Sequence, residues 1–431
     1  MHRALPRPSP ARQSFITLAL VGLVVLILMV PAGANAPGSG SAPGATLDDV
    51  LAIARRLSPE LAARALDTEA AQARVTIAGA LPDPTVRVTS DEIDRMSGPR
   101  QNKMIYSFEQ EFPLWGKRDL RGAQATALVE RSRADGRQTE SELIEKVTIA
   151  FAQYYQSDQA IRTTTDLHQV VHDIARVSRE RYAQGRGSQQ EVYKAEVENS
   201  RLSGEIIHLE ASRQAAAARL NALLARPIDA PLAPPLRLRP IPPAAALAPA
   251  PLMERARAGN PSLAGGSAQI ASAQAGQQLA DRNWYPDVTL SAGAIDRGSN
   301  GPPGYMATIG VKVPLQWGLH EAQQREAGAQ LGAAQARRQA LELQIQSDLG
   351  EALASLAGSR RTGDLIRNQL LPQNQALLRS GTAAYGLGKA ELADVLRNEH
   401  DLADLRIQLL NAEFDAQRQL AAIERLIGSA L

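Results

Sequence analysis

A segment built for two β-strands interrupts an otherwise helical chain twice, at matching places. The first copy opens on Pro82-Asp83-Pro84, crosses a Gly/Pro/Asn-rich break, and closes on Phe112-Pro113-Leu114-Trp115-Gly116. The second opens on Pro286-Asp287 and closes on Val313-Pro314-Leu315-Gln316-Trp317-Gly318. Hairpins spliced into helices at equivalent positions mark a duplicated chain, and a repeat constrains a fold more than local propensity does. Alternation sets the strand faces. Val86 and Val88 alternate with Arg87 and Thr89, and Met104, Tyr106 and Phe108 with Ile105, Ser107 and Glu109. In the second copy Tyr305, Ala307, Ile309 and Val311 alternate with Met306, Thr308, Gly310 and Lys312. Each strand therefore has one apolar face.

A very long helical pattern follows each hairpin. Lys117 to about Tyr182 holds no proline and little glycine, which amounts to about 95 Å of helix. Such a length exceeds a globular core and reads as a coiled-coil rod. Leu143, Val147, Ala150, Tyr154 and Ile161 keep a three-four spacing, as do Leu167, Val170, Ile174 and Val177. The rod turns at Tyr182-Ala183-Gln184-Gly185-Arg186-Gly187 and returns on a heptad from Val192 to Leu223, with Asn199 and Arg213 as polar exceptions. In the second half a helix is expected over roughly 251–284, a rod over 319–384 with a kink at Pro372, and a return helix from Leu392 to Ile427. Tyr182 and Tyr385, Gly185 and Gly388, and Val192 and Val395 share one offset, so the two turns are one element used twice. The expected organisation is a first repeat over 37–226, a Pro/Ala-rich linker over 227–250 and a second repeat over 251–431.

Residues 1–36 read as a signal peptide. Arg3, Arg7 and Arg12 precede an apolar run from Phe15 to Val30, and Ala34-Asn35-Ala36 has the small-x-small form of a cleavage site. The chain of 431 residues contains no cysteine, which excludes disulfides, thiolate metal sites and cysteine nucleophiles together. Its formal charge of +2 gives no strong pull toward nucleic acid.

Four strands with one apolar face leave unpaired edges in water or in lipid. Closure into a barrel removes them; two copies would supply about eight strands and three about twelve, enough for a lumen. On these residues the chain resembles the outer membrane efflux protein family, the TolC-type exit ducts. The most specific parts are the duplicated plan and the turn Tyr385-x-x-Gly388 followed by Ala393-Asp394-Val395-Leu396, matched by Tyr182-x-x-Gly185 with Glu191-Val192. Phe112-Pro113-Leu114-Trp115-Gly116-Lys117-Arg118 is most similar to the heavy-metal cation branch. The resemblance implies a mixed α+β, mostly α fold: a homotrimer with a periplasmic α-barrel and a twelve-stranded outer membrane β-barrel. It also implies work alongside a periplasmic adaptor protein and, through the adaptor, an inner membrane pump. Many relatives carry a lipidated N-terminal cysteine, which this chain cannot.

The expected function is a passive exit duct carrying substrate, heavy-metal cations among the candidates, across periplasm and outer membrane. The alternative is a soluble periplasmic coiled-coil adaptor or scaffold, which would have one helical hairpin and a compact β-rich module. Met104, Tyr106, Phe108, Tyr305, Ile309 and Val311 are expected to face outer membrane lipid, and Glu109, Thr308 and Lys312 to face water. The resemblance implies a periplasmic gate at Asp394, which three-fold symmetry would make an acidic ring; Arg397 could instead pair with it on the same helix. It implies adaptor contact at the tips, through Tyr182, Gly185, Arg186, Tyr385, Gly388 and Lys389. His168 and His172 lie i, i+4 on a helix, a spacing that can clip a metal, but no third ligand is near in sequence. No metal site, cofactor or catalytic constellation is expected. Gly185-Arg186-Gly187 sits at a rod tip rather than after a strand, so it is not a nucleotide loop, and the chain reads as no enzyme.

Overall fold

A computed structural model of the chain describes residues 42–93, 101–297, 302–387 and 389–431. Residues 1–36, expected to be a signal peptide, the Ser97-Gly98-Pro99 break and Gly388 lie outside them. Helices α1 (Leu47–Leu57) and α2 (Pro59–Gly79) both start on capping side chains. The Asp49 N–H donates to Thr46 Oγ1 at 3.3 Å, and the Leu61 N–H donates to Ser58 Oγ at 3.3 Å. Each cap satisfies a backbone donor that has no partner inside its helix.

The second half repeats the pair as α5 (Pro249–Gly259) and α6 (Pro261–Arg282). This corrects the single helix expected over 251–284. Asn260 is extended, at φ −66° and ψ 120°, because a residue before proline is pushed out of the α region, whereas proline itself suits a first turn. Asn260 then caps α6, its Oδ1 accepting from the Leu263 N–H at 3.1 Å.

The rods are α3 (Lys117–Ala183) with its return helix α4 (Gln189–Leu223), and α7 (Trp317–Leu365) continued by α8 (Leu371–Gly386) with its return α9 (Leu392–Ile427). At 67 residues, α3 is about 100 Å long. Between α7 and α8, Ile366–Leu370 forms a π turn. Pro372 lacks an N–H and its ring crowds the preceding turn. The helix widens just ahead of it, so that the Leu371 N–H bonds the Ile366 carbonyl five residues back.

Two apolar clusters hold the halves. Val50 and Ala54 of α1 pack on Leu143, Val147, Phe151 and Tyr154 of α3 and Leu220 of α4. Leu252 and Ala256 of α5 pack on Ile345, Leu349 and Leu356 of α7 and Ile423 and Ile427 of α9. Toward the rod tips, Leu167 and Val171 of α3 meet Leu202 of α4 and Ala403 of α9. Val170 and Val177, placed by their spacing on the same stripe, are exposed instead. The heptad exception Arg213 reaches Asp158 of α3 at 3.4 Å, where Arg162 also binds at 3.1 Å.

The Pro-rich stretch 227–250 is held along its length. Leu232 and Leu238 pack against the first cluster, and Ile241 and Leu247 against the second. Arg239 pairs with Glu424 at 2.7 Å, and Gln417 Nε2 donates to the Arg239 carbonyl at 2.6 Å. This segment thus bridges the halves as a packed strap.

Strands β1 (Thr85–Ile93), β2 (Gln101–Phe112), β3 (Asp287–Asp296) and β4 (Gly304–Lys312) form one antiparallel sheet in the order β1-β2-β3-β4. The β2–β3 ladder joins the two hairpins and leaves β1 and β4 as edges. A clamp closes the foot of that seam. Lys117 Nζ lies 2.9 Å from both carboxylate oxygens of Asp287 and donates to the Tyr285 carbonyl at 2.8 Å. The lysine side chain is 4% exposed and the carboxylate 17%. Trp115 Nε1 donates to the Pro286 carbonyl at 2.8 Å, and the Leu114 N–H to Asp287 at 3.2 Å.

Removing one partner of a buried pair strands the other charge, so Lys117→Met should cost about 3 kcal/mol. Adding Asp287→Asn should recover part of that loss. Thermal unfolding of the two variants in detergent, compared with the parent protein, checks the order.

Candidate functional site

The strand register decides which side chains share a face. Val88, Tyr106, Ala294 and Tyr305 lie across one row; Gln110, Leu290 and Ile309 across the next but one; Phe112, Val288 and Val311 across another. Met104, Tyr106, Phe108, Tyr305, Ile309 and Val311 therefore all stand on one face of the sheet. Glu109, Thr308 and Lys312 stand on the other, with Arg87, Ser291 and Gly293. The apolar face is uncovered: Tyr305 is 83% and Ile309 73% exposed. Val86 and Leu290 extend it, and both are exposed. Among the described residues no helix is long and apolar enough to cross a membrane.

At the far ends of the rods the two turns share one hydrogen-bond plan. The Arg186 N–H donates to the Arg181 carbonyl at 2.8 Å, and the Lys389 N–H to the Ala384 carbonyl at 2.9 Å. Both bonds span five residues, as at a helix end closed by a left-handed residue. In the first turn that residue is Gly185, at φ 68°. The second turn's Gly388 lies outside the described residues. Arg186 and Lys389 are exposed, as is Tyr182. Tyr385 differs: it is half-buried beside Ala175, Ala195 and Leu392, with the Arg181 guanidinium 4.8 Å from its ring centroid. The second rod's aromatic thus rests under a cation from the first rod, a contact between elements some two hundred residues apart that no local spacing announces. Leu387, next to it, is exposed and was not singled out by its sequence context.

Asp394 lies in the first turn of α9 and is exposed, 3.9 Å from Arg397. A solvent-exposed pair at this separation is worth about 0–1 kcal/mol. The exposed stripe continues through Asp401 and Asp404, opposite the buried Val395 and Leu402. The three-seven spacing of these acids is legible in the sequence once the buried face is known. Asp404 pairs with His400 at 3.4 Å. Burial pushes the nearby Glu399 carboxyl above its usual range, against the pull of Arg406. His168 Nε2 is bonded to Ser203 Oγ at 3.1 Å and His172 is exposed. No group of three His, Cys, Asp or Glu that could hold a metal occurs among the described residues.

Comparison with known proteins identifies what this arrangement is shared with. The profile described as "Outer membrane efflux protein" matches twice, over residues 50–226 and 252–429. The cobalt-zinc-cadmium resistance protein CzcC of Cupriavidus metallidurans is 24% identical over 387 residues, covering 89% of this chain and 90% of that protein. Among solved structures, the outer-membrane channel OprN superposes with a TM-score of 0.77 at 19% identity, over 89% of this chain and 90% of its own. The outer membrane protein VceC of Vibrio cholerae does so with a TM-score of 0.76 at 20% identity, over 89% and 96%.

The tip glycine generates a local prediction. A Cβ at Gly185 would meet no atom within 4 Å, so only its positive φ resists a side chain. Gly185→Ala should therefore cost about 1–2 kcal/mol, and Gly185→Asn less, because asparagine tolerates this conformation. Amide hydrogen exchange at Arg186, whose N–H bonds across the turn, should speed up in that order.

Proposed function

The chain belongs to the outer membrane efflux protein family, and from that premise we propose that three copies form one continuous duct through periplasm and outer membrane. The chain is thus an outer membrane efflux channel whose helices extend into the periplasm; the family's members are channels rather than enzymes. The observation that carries the trimer is the four-stranded sheet with an unpaired edge on either side. Lipid offers no partner for edge N–H and C=O groups, so the sheet must close through other copies. Three copies would give about twelve strands, a size that leaves a lumen. On this reading Met104, Tyr106, Phe108, Tyr305, Ile309 and Val311 meet lipid. Glu109, Thr308 and Lys312 meet the water inside.

The two repeats, 37–226 and 251–431 with the strap 227–250 between them, each supply one hairpin and one rod. Pairing of the rods from three copies makes the periplasmic tube. We assign its mouth to the start of α9. There Asp394, Asp401 and Asp404 of each copy line one exposed stripe, with Arg397 3.9 Å from Asp394. A three-fold ring of such stripes would favour cations, because a narrow acidic path concentrates them and repels anions. The likeness to a cobalt-zinc-cadmium resistance protein supports heavy-metal cations as cargo. Tyr182, Gly185, Arg186, Tyr385, Gly388 and Lys389 form the tips that we assign to a periplasmic adaptor, through which the duct meets an inner membrane pump. On this reading the duct is passive, and the pump supplies the energy.

Two measurements test this. In planar bilayers, purified trimers should pass cations in preference to anions, and Asp394→Asn should lower that preference several-fold while Arg397→Gln raises it. Equal selectivity in all three would remove Asp394 from the path. For the tips, cysteines placed by Arg186→Cys and Lys389→Cys should cross-link to the adaptor in cells exporting metal. Export without a cross-link at either position would show that docking occurs elsewhere.

A further inference from the structure

The internal duplication supplies a template for a contact that one copy cannot make with itself. In the seam between the two halves, β2 lies beside β3 with Phe108 opposite Ala292, Gln110 opposite Leu290 and Phe112 opposite Val288. The second half repeats the residues that frame this seam. Pro82-Asp83 corresponds to Pro286-Asp287, and Phe112-Pro113-Leu114 to Val313-Pro314-Leu315. The hairpins obey the same correspondence: Val86 faces Phe108 in the first, and Leu290 faces Ile309 in the second. So β4 stands in the second half where β2 stands in the first, and the strand due beside it is the equivalent of β3, which is β1. The chain's own β1 occupies the opposite edge of the sheet. The strand must come from a second copy.

We propose that β4 pairs antiparallel with β1 of a second copy in one defined register, with Val311 opposite Val86 and Ile309 opposite Val88 of that copy. This rests on the multi-copy barrel proposed above and adds the residues that select its seam. The register follows from transferring the β2–β3 pairing through the repeat, and the side chains agree with it independently. All four residues are apolar and share the uncovered face, and in a single copy they are 56% (Val311), 73% (Val86), 73% (Ile309) and 54% (Val88) exposed. Directly opposed β-branched side chains on one face are the unit that stabilises a sheet. On the other face, Arg87 of the second copy falls opposite Gly310, where no side chain competes with the guanidinium. Lys312 falls opposite Thr85.

Other registers lose these matches. A slip of one residue sets Val311 against Arg87 or Thr85 and turns the apolar set to the wrong face. A slip of two sets Ile309 against Ser90, or Val311 against Pro84, which has no N–H to give. The seam also differs from its template in one respect. Gly318 and Leu319 stand where Lys117 stands, and no lysine or arginine follows before Arg325. Asp83 of the second copy therefore lacks the clamp that Asp287 has, and the seam between copies is the weaker of the two.

The native chain has no cysteine, so an engineered pair reports alone. The double variant Val86→Cys/Val311→Cys, oxidised in outer membranes, should give reductant-sensitive covalent dimers and trimers on denaturing gels. Val88→Cys/Val311→Cys and Arg87→Cys/Val311→Cys, which mimic the slipped registers, should give at least tenfold less. Val88→Cys/Ile309→Cys probes the same register should the first pair fail to assemble. Strongest cross-linking in a slipped pair overturns the register. So does the absence of any cross-link in protein that light scattering shows to be trimeric. Monomeric protein would instead overturn the barrel itself, and the seam with it.

Discussion

Backbone polar groups at the edge of a sheet must be paired wherever water is absent, and this chain leaves two such edges open. The β1-β2-β3-β4 order leaves the N–H and C=O groups of β1 and β4 facing outward while one face of the same sheet is lined with Val86, Tyr106, Phe108, Tyr305 and Ile309. Against lipid, where the proposed function places this face, open edges are forbidden. They are paired only when the sheet continues into other copies. The requirement then spreads to the helices. Each hairpin is flanked by α2 and α3 or by α6 and α7, so strands closing into a ring carry the rods into a ring with them.

The foot of the sheet is where strand and rod geometries are reconciled. Trp115 and Gly116 both take positive φ, and Gly116 caps α3. Lys117, the first residue of that helix, reaches across to Asp287 at the start of β3. The clamp fixes the second hairpin to the first rod at the foot of the β2–β3 ladder that joins the two hairpins into one sheet. Its charge pair is buried enough to depend on good geometry, and the additional bond to the Tyr285 carbonyl helps meet that need.

Along the rods, small and branched residues do the packing, and of the two polar exceptions only Arg213 is paired, while Asn199 Oδ1 is buried without a hydrogen bond. Arg213 interrupts a heptad but finds Asp158. Pro372 interrupts the second rod, and the helix accommodates it by widening rather than breaking, since the Leu371 N–H can still find a carbonyl. At the tips, hydrophobic contact is thin. Ala175, Ala195 and Leu392 form a small cluster, with Tyr385 beside it under Arg181. A region held by so few buried side chains is suited to movement, because local opening there disrupts little.

Much of this was legible in the residues alone, because period and punctuation are local properties. Alternation over 86–88, 104–108 and 305–311 placed the strands and both faces. Pro82 and Pro84 ended a helix, and the heptad from Val192 marked the return of a rod. The break at Asn260-Pro261 was also within reach, since Ser58-Pro59 occupies the equivalent place in the first half. Other features depended on where distant segments meet. The three-four spacing fits Val170 and Val177 as well as it fits Val171 and Ala175, and only the position of α4 and α9 decides which stripe is buried. Composition made 227–250 a tether, whereas packing of Leu232 and Ile241 on two different clusters made it a strap. The sequence by itself determined the strands and the sheet's two faces, the rods and the duplication, because these follow from periodicity along one chain. Tertiary structure decided the β2–β3 register, the Lys117–Asp287 clamp and the Arg181–Tyr385 contact. Each joins residues roughly 170 to 200 positions apart, beyond the reach of any periodicity along the chain.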